Sequence, residues 1–163
     1  MRNPIQTLVI AVLFSFLPAA ASSAGDIVLL HTNENGVAVS GYDPVAFFEE
    51  GEPVKGMVEH RAVHKGALYY FVSEDNLDTF RARPEKYEPR FGGFCPVSLA
   101  EDKPEGGDPE NFRIVDGQLY LLHDSDAARR FNEQHIAFVE KQWDHYREKY
   151  GDIHMPEGFE IKE

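Results

Sequence analysis

Residues 57–84 read MVEHRAVHKGALYYFVSEDNLDTFRARP, and this stretch decides the fold class. Met57–Ala62 and Ala67–Val72 favour strands, and His64-Lys65-Gly66 between them supplies a turn, so the segment opens as a β-hairpin. Ser73 follows with a hydroxyl suited to an N-cap, after which Leu77 and Phe80 stand three apart, as on one face of a helix. A helix is expected from Glu74 to about Arg83, with Pro84 ending or restarting it and Tyr87 packing back onto it.

The flanks extend the pattern. Upstream, Asp26 to Ser40 reads as an extended lead-in that turns at Ser40-Gly41. Asp43 then offers an acceptor and Pro44 a residue without an N–H, a good start for a short helix from Pro44 to Glu50 that stops at Gly51. Downstream, Glu88 to Asp108 holds Pro89, Gly92-Gly93, Pro96, Pro104 and Gly106-Gly107 and is expected to be mostly loop, with one helical turn at Val97 to Glu101. A second hairpin is predicted from Asn111–Val115 and Gln118–Leu122, because both positions of Asp116-Gly117 tolerate positive φ. Asp124 or Ser125 caps a last helical segment, Asp126 to Tyr150, with a break near Gln134 to Ile136 and Gly151 as its stop. No repeat and no low-complexity linker is evident. Short hairpins and helices without strand-helix-strand alternation point to an α+β domain with several short helices and a long C-terminal helical segment.

The ends and the composition bound the setting. Arg2, the apolar run Ile5 to Leu17 and the small residues that follow form a secretory signal, residues 1–24, with cleavage expected after Ala24. Its apolar core is shorter than the roughly 20 residues of a spanning helix, so the mature chain is expected to be exported, periplasmic or secreted, without a membrane span. Residues 25–151 then form a single domain and 152–163 a tail. The net charge of −12 becomes −13 once Arg2 is removed, which disfavours nucleic acid and anionic lipid as partners. A lone cysteine, Cys95, excludes an internal disulfide, so the fold rests on packing.

Several ordered blocks resemble the YHS domain, in its small exported bacterial form. Gly41-Tyr42-Asp43-Pro44-Val45-Ala46-Phe47-Phe48 is similar to that group's opening, Tyr69-Tyr70-Phe71-Val72-Ser73 to its aromatic strand and cap, and Phe80, Pro84 and Tyr87 to its closing F-x-x-x-P-x-x-Y. Gly92-Gly93-Phe94-Cys95, Asp116-Gly117 and Leu119-Tyr120-Leu121 resemble an extension of the exported subgroup. The resemblance implies a small α+β fold. Its metal-binding branch places cysteines where this chain has Ala46, Val72 and Asn76, so that branch's thiolate chemistry is missing here.

For chemistry, Cys95 stands out: Gly92-Gly93 lets the backbone pass close by and Pro96 holds the chain after it. Such a loop can offer a thiolate to copper or another soft transition metal with His123 as co-ligand, and the same pair reads alternatively as nucleophile and base. The competing reading is a small buried hydrophobe. Tyr42 and Asp43 are candidates to place a phenol and a carboxylate beside that loop, against the plainer roles of core aromatic and helix cap. Other histidine pairs are too far apart to chelate: His60 and His64 about 13 Å at ~3.3 Å per residue, and His135 and His145 about 15 Å at ~1.5 Å per residue. Phe138, Trp143 and Tyr146 on the last helix form either core or a docking stripe. G-x-S-x-G, H-E-x-x-H, C-x-x-C and phosphate-cradling glycine loops are absent from the sequence. The reading is therefore a ligand-binding or accessory module touching a metal ion or metal-bearing protein, with a metal-free interaction scaffold and a cysteine-dependent enzyme as rivals.

Overall fold

The computed structural model describes residues 29–150; the signal segment, the Gly151 stop and the tail fall outside the described residues. The architecture is α+β, with two separate two-stranded antiparallel sheets framed by short helices and a long C-terminal helix. After a 3-10 turn at Val39–Gly41 comes α1 (Ala46–Glu49), then β1 (Met57–His64), β2 (Ala67–Phe71), α2 (Glu74–Ala82) and α3 (Pro84–Tyr87). A second 3-10 turn at Arg90–Gly93 leads to α4 (Pro96–Ala100), β3 (Asp108–Val115), β4 (Gln118–Leu122), α5 (Ser125–Arg130) and α6 (Glu133–Tyr150). Set side by side, the two halves run through the same order of elements.

The second hairpin is closed by Asp116-Gly117 as expected, and the first also by two residues rather than three. Lys65 and Gly66 have φ of 49° and 83°, Asp116 and Gly117 of 50° and 72°, the left-handed pair that matches strand twist. His64 is thereby released from the turn and pairs with Ala67, so β1 runs two residues beyond the expected Ala62. β3 likewise begins at Asp108 rather than Asn111: Asp108 pairs with Leu122 and Phe112 with Leu121, and the register shift between them bulges Pro109, Glu110 and Asn111 out of the ladder. Ser73 caps α2 by accepting from the Asn76 N–H, and Asp124 caps α5 by accepting from the Ala127 N–H. The break in the last helical segment falls at Phe131 and Asn132, earlier than expected. Phe131 turns inward against Tyr120, and Asn132 Oδ1 accepts from the Gln134 N–H at 3.0 Å to start α6.

One core gathers Phe47, Tyr69, Phe71, Phe80 and Tyr87 from the first half, and Leu119 and Leu121 of β4 complete it from the second. Phe47 meets Phe112 of β3 edge to face at 4.9 Å. A second core joins Phe91, Leu99 and Tyr120 to Val139 and Tyr146 of α6. Tyr146 is buried with its hydroxyl on the Leu99 carbonyl at 2.8 Å, and Trp143 packs on Phe91, whereas Phe138 is 44% exposed. The aromatic stripe is thus core at two positions and surface at the third. Among the described residues no helix is long and apolar enough to cross a membrane.

Candidate functional site

The chain direction alternates as it passes the candidate residues, and this sorts them. Asp43 is 0% exposed and its carboxylate works as a clasp: Oδ1 accepts from the Val45 N–H at 2.8 Å, while Oδ2 accepts from the Val72 N–H at 2.8 Å and the Asn76 side-chain amide at 2.7 Å. Three donors satisfy the buried charge, so Asp43 ties the start of α1 to the end of β2 and the first turn of α2. Tyr42, the neighbour on the other side of the chain, faces outward and donates from its hydroxyl to Glu110 at 2.8 Å, while Lys55 Nζ lies 3.9 Å over its ring. Accepting that bond, Glu110 holds the phenol above its usual range.

Cys95 and His123 are divided in the same way. Cys95 is 0% exposed and clusters with Val97, Leu122 and Ala127, with Phe131 packed against them. His123, one residue beyond Leu122, is exposed, and its Nδ1 lies 3.1 Å from the Gly106 carbonyl. A carbonyl only accepts, so this contact makes Nδ1 the protonated nitrogen and leaves the lone pair on Nε2, the usual orienting partner of a metal-binding imidazole. The Cys95 N–H donates to the adjacent Glu105 carbonyl at 2.9 Å, so the two residues share a stretch of backbone on opposite sides of it.

The residue that the sequence reading passed over is His31. Its ring packs against Gly106, where a Cβ would lie 2.0 Å from its Cε1 and 2.1 Å from its Nε2, and meets Phe94 edge-on at 5.4 Å. Its backbone N–H donates to the Gly92 carbonyl at 2.8 Å. Burial first, and then the positive form of His123 nearby, hold its pKa below the usual histidine value, so His31 is neutral at pH 7. His31, His123, Tyr42 and Asp108 line one shallow, solvent-open cavity of about 390 Å³ over Gly106-Gly107. The clue in the sequence was Gly106, a glycine that leaves room for a ring, but nothing local says which ring arrives.

Of the four candidates, the fold brings Tyr42 and His123 to this cavity and turns Asp43 and Cys95 into the interior. Among the described residues no three histidine, cysteine, aspartate or glutamate side chains converge as a metal cage. In the first half, Ala46 and Val72 have no donor side chain and Asn76 is committed to Asp43, so those positions do not fit a metal. His31 and His123 are the two imidazoles that line one cavity. No curated protein and no solved structure matches the chain. A YHS domain is matched at residues 45–90, the segment from the start of α1 to the turn before α4.

Proposed function

We propose that this chain is an exported accessory module that takes up a transition-metal ion, or engages a metal-bearing partner, at the cavity of His31 and His123. The YHS-domain match is consistent with a metal-associated accessory role. The observation that carries the site is the Gly106 carbonyl fixing the His123 tautomer beside a neutral His31. Two nitrogen ligands and exposed remaining positions suit an exchangeable ion such as copper(II) or zinc(II), with water or a partner completing the shell, rather than a structural ion enclosed by protein. Cys95, enclosed by aliphatic and aromatic neighbours, supports the fold beneath the site instead of supplying a ligand.

The test is titration of the exported form, whose first residue by N-terminal sequencing is expected to be Gly25, with copper(II) and with zinc(II). One ion per chain is expected, bound more tightly for copper. His31→Ala and His123→Ala each weaken it at least about tenfold, roughly 1.4 kcal/mol, and Cys95→Ser leaves it unchanged. No uptake of either ion would leave an interaction scaffold. Uptake abolished by Cys95→Ser, with both histidine variants unaffected, returns the site to the sulfur.

A further inference from the structure

We infer that the chain is a tandem duplication of one unit of about fifty residues, and that the two copies have diverged into a scaffold copy and a ligand-bearing copy. β1 begins at Met57 and β3 at Asp108, 51 positions on, and the same interval relates both turns, both partner strands and the caps Ser73 and Asp124. Gly66-Ala67-Leu68-Tyr69 corresponds to Gly117-Gln118-Leu119-Tyr120, and Phe80 to Phe131. Earlier in each unit the interval is 52, Gly41-Tyr42-Asp43-Pro44-Val45 against Gly93-Phe94-Cys95-Pro96-Val97, because the loop before the second hairpin is one residue shorter.

Irregular features repeat as faithfully as regular ones, and chance resemblance of two hairpins does not produce that. The register shifts fall at Met57/Arg61 and at Asp108/Phe112. Val37 bridges Leu68 in parallel as Pro89 bridges Leu119, and Tyr42 bridges Lys55 as Phe94 bridges Gly106. The Asp43 N–H donates to the Val54 carbonyl at 2.8 Å, and its counterpart on Cys95 to Glu105 at 2.9 Å. Gly56 and Gly107 each lie where a Cβ would strike the next strand, at 2.5 Å from the Tyr70 backbone and 2.2 Å from Leu121 Cβ.

The differences carry the functional content. The family match, residues 45–90, falls mostly on the first unit, beginning after its Asp43. There the clasp is Asp43 with Val45, Val72 and Asn76; the corresponding residues in the second unit are Cys95, Val97, His123 and Ala127. The first unit also fills the space outside its clasp, Lys55 lying over Tyr42 and donating to the Ser40 carbonyl at 3.0 Å. The second has Gly106 at the place of Lys55, and His31 lies there against Phe94, the counterpart of Tyr42. Cys95 is accordingly the descendant of a structural position, and the cavity over Gly106-Gly107, with His31 in place of a lysine, is what distinguishes the second copy. Placement of an ion in that cavity rests on the function proposed above.

Rebuilding the clasp in the second unit tests this. Cys95→Asp alone buries a carboxylate lacking its third donor and is expected to lower the melting temperature by roughly 10 °C. Ala127→Asn alone also destabilises, since its amide has no acceptor. Combined, the two substitutions are expected to restore several degrees relative to Cys95→Asp, a non-additivity that only a clasp geometry shared with Asp43 and Asn76 explains. Strict additivity overturns the correspondence of the units. Zinc(II) uptake by the doubly substituted chain is expected to equal that of the unsubstituted chain. A folded double variant that has lost uptake keeps the duplication but removes the ligand site from the two histidines.

Discussion

Asp43 shows how much one side chain settles in the first half. The sequence offered it as a helix cap, and it does accept from Val45 two residues on, but its second oxygen reaches Val72 and Asn76, 29 and 33 residues away. Asp43→Ala leaves two backbone N–H groups and a side-chain amide without their acceptor in a buried site. The expected cost is about 3–5 kcal/mol, read as a lower urea midpoint; a loss under ~1 kcal/mol would show that water replaces the carboxylate. Tyr42 and His123, also named from sequence, sit one residue from a buried position and point outward, an alternation fixed by extended backbone. His31 was not legible, since its pairing with His123 joins the lead-in to the end of β4 across more than ninety residues.

At the scale of elements, turn chemistry and capping were readable because they are local. Asp116-Gly117, Lys65-Gly66, Ser73 and Asp124 each act through neighbours within four residues. The glycine before β3 is a different case, since it is required by what crosses it. A Cβ on Gly107 would lie 2.2 Å from Leu121 Cβ and 2.7 Å from the Leu121 backbone, neither of which can swing away, whereas Gly117 has nothing within 4 Å. Gly107→Ala is therefore expected to cost roughly 1–3 kcal/mol by overpacking, more than Gly117→Ala, where left-handed φ alone costs about 1 kcal/mol. Equal midpoints for the two variants in urea would contradict the close approach. The α5–α6 break was misplaced for the complementary reason: Phe131 leaves the helix to meet Tyr120, a partner outside the helical pattern.

Across the whole molecule the two units pack as one body, because Leu119 and Leu121 of the second complete the core of the first. The cavity at their junction ties proton binding to that body. His31 is held below its ordinary pKa when folded, so as pH falls through about 6.5 the unfolded chain takes up its proton first. The stability this residue contributes is complete above that pH and is lost as pH falls toward the folded value. Chemical denaturation from pH 7.5 to 5 is expected to show a decline that His31→Gln flattens; an identical slope in the variant would mean that His31 titrates normally. By itself the sequence determined the α+β class, both hairpins, the caps and the solitary cysteine, because these follow from period, turn geometry and counting. Tertiary structure alone decided that the chain is built twice over and that the imidazoles of His31 and His123 line one cavity, because a duplicated backbone survives on a few glycines and turns while its side chains diverge, and contacts between distant segments leave no local period to read.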